Sequence, residues 1–192
     1  MLAPRRSRLV FLCLAIVAVI LGAVFLIVQL RGPGEAEPEE LVLEEREIGE
    51  AAGDRAIVLV FPNWDATGYI HEQRQLPSRH RLEQDMMAVM GALCEGPTTS
   101  GAVAALPLGT RPLAVFYNDA DGSIVLDFSR EIVVNHPGGT AAESGTLTSI
   151  LRTVALNFPQ VTECQLLVDG AQSETLAGHI SLERPFVPRR WL

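Results

Sequence analysis

Two adjacent apolar runs do most to limit how this chain can fold. Arg111-Pro-Leu-Ala-Val-Phe-Tyr-Asn118 leads into Asp119-Ala-Asp-Gly122, and Ser123-Ile-Val-Leu-Asp-Phe-Ser129 leads out. β-Branched and aromatic residues on both sides of a short Asp/Gly turn predict an antiparallel hairpin. Helical patterns lie before and after it, and neither could bury its apolar side without a sheet to pack on.

The first helix is predicted from Leu82, Met86, Val89, Met90 and Leu93, with Ser78 as its cap and Gly96-Pro97 as its stop. The second is predicted from a capping box, Thr140-Ala-Ala-Glu143, and the stripe Leu147, Ile150, Leu151, Val154 and Phe158, ended by Pro159. Arg55 to Phe61 is apolar on both sides and predicts a central strand. Tyr69 to Leu76 alternates, with Ile70, Glu72, Arg74 and Leu76 on one side, and predicts a more exposed one. Val161 to Val168 predicts another strand, and Pro185 and Pro188 limit any strand in Ile180 to Val187 to an edge. This order is α+β: a small mixed β-sheet with two helices packed on one face.

The ends read differently. Residues 1–8 carry Arg5, Arg6 and Arg8, and Leu9 to Leu30 is apolar apart from small residues and Gln29. As a helix that run is about 33 Å long, enough for a hydrocarbon core of about 30 Å. The expectation is a single transmembrane anchor over 9–30, N-terminus cytoplasmic, with the rest exported to the periplasm or cell surface. Residues 31–54 are crowded with Glu and read as an acidic linker. The folded domain is then 55–192.

Charge narrows the partners. The formal net charge is −8, and every basic residue is Arg. Such a surface repels nucleic acid, so no nucleic-acid partner is expected. Cys94 and Cys164 are the cysteines beyond the anchor. An oxidising compartment permits a disulfide between them, and two small buried hydrophobes is the other reading.

Motifs for chemistry are weak. His71-Glu72 begins a zinc signature, but position 75 is Gln75 rather than His. Asn118-Asp119-Ala-Asp121-Gly122 resembles the opening of a calcium loop, yet a tight turn explains the same residues. The sequence contains neither G-x-S-x-G nor a phosphate-binding P-loop motif. No catalytic residue, metal ligand or cofactor is assigned. His136 and His179 are the acid–base candidates for a rival reading as a cell-wall-acting enzyme. Among the aromatics, Phe116 is expected in the core. Trp64, in a turn-rich loop, and Tyr69 beside it are the expected partner contacts.

Several segments together resemble the GerMN domain, a module of sporulation and spore germination. They are Val58-Leu-Val-Phe-Pro-Asn63, Leu93-Cys-Glu-Gly-Pro-Thr98, Leu106-Pro-Leu-Gly-Thr-Arg111, Gly122 to Ser129, Asn157-Phe-Pro159, Leu167-Val-Asp-Gly170 and Gly178-His-Ile180. The resemblance implies a fold like the ring-building motifs of envelope assemblies, and an assembly role rather than catalysis. The expected function is that of a membrane-tethered envelope interaction module. Its partner would be an envelope protein or peptidoglycan, with self-association open. A small-ligand-binding envelope protein is a third reading.

Overall fold

Alternation and helical periodicity become real elements over the residues that the computed structural model describes, 53–192. The expected cytoplasmic segment 1–8, the anchor 9–30 and nearly all of the linker lie outside them. Asp54, the last linker residue, already belongs to a strand. Among the described residues no helix is long and apolar enough to cross a membrane.

The strands are β1 (Asp54–Pro62), β2 (Tyr69–Pro77), β3 (Pro112–Asn118), β4 (Ser123–Phe128) and β5 (Glu163–Val168). The helices are α1 (Leu82–Glu95), the single-turn α2 (Glu131–Val134) and α3 (Thr140–Asn157), and a 3-10 turn closes the chain at Pro188–Trp191. The fold is mixed α and β, with small sheets. It holds two sheets where the sequence predicted one. β1 and β2 form an antiparallel ribbon, and β3-β4-β5 form a mixed sheet in which β4 pairs antiparallel with β3 and parallel with β5. The central strand of the larger sheet is therefore β4, and β1 is not central.

β1 escapes the expectation for a physical reason. Its free edge is completed by side chains of α3 instead of by a strand. Asn157 accepts from the Val58 N–H through Oδ1 at 2.9 Å and donates to the Val58 carbonyl through Nδ2 at 2.7 Å. Thr153 Oγ1 accepts from the Val60 N–H at 3.1 Å. One carboxamide thus reproduces both bonds of a strand neighbour, so β1 is flanked on both edges.

A single core joins the elements. Ile57, Leu59 and Phe61 of β1 meet Met86, Met90 and Leu93 of α1, Ile124, Leu126 and Phe128 of β4, and Leu147, Ile150, Leu151 and Val154 of α3. Both predicted helical stripes are buried except for Leu82, which is half-buried, and each fully buried large side chain contributes about 1.5–3 kcal/mol. At the β3–β4 turn Gly122 has φ +74°, and an added Cβ would lie 2.8 Å from the Gln160 carbonyl oxygen. Only glycine fits there.

The caps differ from expectation. Ser78 lies before Arg81, the residue at the α1 cap position, and its hydroxyl donates to Asp85 Oδ2 at 2.9 Å. Asp85 reaches back from the first turn to accept the Arg79 N–H at 2.8 Å. At α3, Gly139 holds the cap position and Thr140 is already helical, so no capping box forms. Glu143 turns inward instead. The stretch after β4, expected to be irregular, contains α2. The C-terminal return forms isolated bridges, Cys164 with Phe186 among them, and no strand, consistent with its prolines.

Candidate interaction surface

Trp64 stands where β1 turns into β2, and the turn is tied down around it. Asn63 N–H donates to the Gly68 carbonyl and Gly68 N–H to Asn63 Oδ1, both at 3.0 Å. Thr67 donates to Asp65 Oδ1 from its backbone and its hydroxyl, at 3.1 and 2.8 Å. Those hydrogen bonds hold the Asp65 carboxyl below the usual carboxylate range. The segment after α1 closes the other side: Trp64 N–H donates to Gly101 O and Val103 N–H to Pro62 O, each at 2.9 Å. On this fixed base the Trp64 side chain is 76% exposed. A large aromatic ring is held in water at no further ordering cost to its loop, as binding aromatics are.

Tyr69 is brought to the same end of the ribbon, opposite Pro62 in register, but it is half-buried. The Arg152 guanidinium of α3 sits over its ring, 4.9 Å from the centroid. Its ring is therefore less open to a partner than that of Trp64. Phe116, expected in the core, is 61% exposed. In β3 the buried position is Val115, and Phe116 points to the opposite side by strand alternation.

The buried carboxylates hold the structure together. Glu72 of β2 accepts the backbone N–H groups of Thr98 and Thr99 at 2.8 and 2.7 Å, the Thr98 hydroxyl at 2.9 Å, and Arg74 Nε at 2.7 Å. Burial by itself would raise its pKa; the hydrogen bonds from Thr99, Arg74 and Thr98 outweigh that and bring it down to about 2. Glu72 so anchors the segment that supports Trp64. The sequence signal was Glu72 and Arg74 on the same side of a strand as Ile70 and Leu76, where opposite charges can pair out of water.

Glu143 is fully buried at the start of α3 and binds the C-terminal return. It accepts the Ile180 N–H at 2.8 Å, the His179 N–H at 3.2 Å and His179 Nδ1 at 2.8 Å. Burial pushes its pKa up, and these bonds override it to leave the pKa lowered. His136, the other acid–base candidate, receives the Gly138 N–H on Nδ1 at 3.0 Å, so Nε2 carries the proton and donates to Thr146 Oγ1 at 3.1 Å. The Thr146 hydroxyl donates in turn to the Ala105 carbonyl at 2.7 Å. Burial lowers the His136 pKa, against the pull of Glu143. The chain of bonds is consistent with a neutral ring serving the fold.

The two cysteines of the candidate disulfide lie in different elements. Cys94 in the last turn of α1 and Cys164 in β5 are both free, and burial pushes each thiol up to about 12. Each packs as a small hydrophobe. A depression between β1, β2 and α1, lined by Arg55, Ile57, Leu76, Ser78, Asp85 and Val89, has a volume of about 10 Å³. That is less than the roughly 300–1,000 Å³ usual for small-ligand sites. Among the described residues no group of three or more His, Cys, Asp or Glu is placed to hold a metal ion.

The Germane family model, described as sporulation and spore germination, matches residues 58–174. This chain belongs to that family. The matched span runs from β1 to the loop after β5 and takes in the Trp64 turn, Glu72 and Glu143. Among solved structures, the chain is 26% identical to one described as "Putative Lipoprotein from Clostridium perfringens", with 70% of this chain and 88% of that one covered and a TM-score of 0.50. The first GerMN domain of the sporulation protein GerM from Bacillus subtilis is 20% identical, covering 71% of this chain and 98% of that one, with a TM-score of 0.54. The tandem GerMN domains of the same protein give 18% identity and a TM-score of 0.55, covering 70% of this chain and 46% of that one. These last two show the fold. No curated protein matches the chain.

Proposed function

We propose that this GerMN-family protein is a non-catalytic interaction module of the cell envelope. It is held to the membrane through residues 9–30, extended on its acidic linker, and engages an envelope protein or peptidoglycan through the Trp64 turn. The observation that carries the reading is the exposed Trp64 ring on a loop whose polar groups are already bonded to one another. The likeness to a Clostridium perfringens protein described as a lipoprotein supports an envelope location. Membership of a sporulation and germination family supports a role in assembly there.

The test is photo-crosslinking in cells from position 64 of the full chain, followed by mass spectrometry. A specific envelope protein or peptidoglycan fragments should be recovered, at a yield well above that from exposed position 75 on β2. Equal yields from the two positions would overturn the contact.

One observation favours an enzyme acting on the wall: the His179 ring is half-exposed while its Nδ1 is paired with buried Glu143. Among the described residues no Ser, Thr or Cys side chain hydrogen-bonds that ring, so the nucleophile would have to be water. Release of peptidoglycan fragments by the full chain, abolished in His179→Asn, would establish that reading. The expected result is no release by either form.

A further inference from the structure

We propose that the outer edge of β3 pairs antiparallel with β3 of a second copy of this chain. The two sheets have four outer edges, and three are protected. Asn157 and Thr153 complete β1. Phe186 exchanges backbone bonds with Cys164 along β5, at 2.7 and 2.8 Å. β2 carries His71, Glu72, Gln73, Arg74 and Gln75, a polar and charged sequence of the kind that discourages edge pairing. β3 is different: Leu113 to Tyr117 has no charge, and Leu113 and Phe116 are exposed. Among the described residues nothing hydrogen-bonds the side of 113–117 that faces away from β4. Pro112 and the bulge between Pro112 and Ala114 end the flat stretch at one side only.

The direction of the backbone fixes the pairing. Asn118 O accepts the Gly122 N–H at 2.9 Å, so Asn118 faces β4. By alternation Val115 and Tyr117 turn their N–H and C=O groups outward. An antiparallel pair about a two-fold axis at Val115 sets Tyr117 of one copy against Leu113 of the other.

Charge then selects the partner. Arg111 precedes the strand and Asp119 follows it. Both are exposed, and neither has an ion-pair partner within 4 Å among the described residues. The same axis brings Arg111 of each copy to Asp119 of the other, twice over. A parallel arrangement would set like charges together. On the outer face, Phe116 lies across from Ala114 of the second copy, large against small, in a closely spaced pair. The interface is isologous and closed, so it makes dimers and no longer array. This inference is independent of the Trp64 reading.

The test uses the full chain in detergent micelles with Cys13 replaced by Ser. Two differently tagged copies, one Ala114→Cys and the other Phe116→Cys, are mixed and mildly oxidised. A mixed-tag disulfide dimer is expected, well above that formed by Gln73→Cys mixed with Gln75→Cys on the β2 edge. Arg111→Asp or Asp119→Arg alone should lower the trapped dimer about tenfold, and the double variant should restore it. Circular dichroism confirms that each variant folds. Trapping no better than at β2, or a charge reversal without effect, overturns the proposal. So does a different protein recovered on the β3 edge in place of the second copy.

Discussion

At the residue scale the buried carboxylates do the most. Glu72 receives four hydrogen bonds from Arg74, Thr98 and Thr99, and removing it leaves the largely buried Arg74 guanidinium without its carboxylate. Glu72→Ala should cost about 3–5 kcal/mol, read as a lower urea midpoint for the full chain. The pH dependence follows from the lowered pKa. Its ordinary value is 4.5 and its folded value about 2, so the unfolded chain binds the proton first. The stabilisation is whole above pH 4.5 and is lost as pH falls toward 2. Unfolding midpoints measured across that window should fall more steeply for the native chain than for Glu72→Gln. Equal slopes would mean that the carboxylate is not what holds the 98–99 segment.

Elements show why parts of the fold were legible and parts were not. Both long helices could be read because their apolar stripes are local, and the β3–β4 hairpin because its turn chemistry is local. The second sheet could not, because the neighbour that completes β1 is an amide 99 residues away in a helix. Nothing in the β1 sequence distinguishes a strand between two strands from a strand between a strand and Asn157. The expected capping box at Thr140 failed for a related reason, since Glu143 finds partners in His179 and Ile180 that local sequence does not reveal. Phe116 was misread because an aromatic in a strand is usually a core residue, whereas alternation puts it on the face of β3 opposite buried Val115. The exposure of Trp64 was legible because a turn residue has no strand or helix face to bury. Asn157→Leu keeps the volume of the side chain and removes both of its bonds to Val58. It should cost about 2–4 kcal/mol by leaving a buried donor and acceptor unpaired. Hydrogen exchange at Val58 should rise more than at Leu126 if the loss is felt first at the β1 edge.

For the whole folded unit, the C-terminal return is a strap with no regular structure of its own, closed on the rest by Glu143, Gln165 and the Cys164–Phe186 bridge. It still buries Leu176 and Leu182. Glu143→Ala should release residues 174–182 to faster hydrogen exchange while α1 and β1 stay protected. Uniform loss of protection would show that the strap and the core open together. The carboxamide bridge to β1 also has a consequence in time. A ribosome releases the two ribbon strands long before it reaches Asn157, and at about 5–20 residues per second the wait from Val58 is about 5–20 s. For that interval the newborn chain carries an apolar strand with one raw edge, and a chaperone that recognises such edges would find its client there.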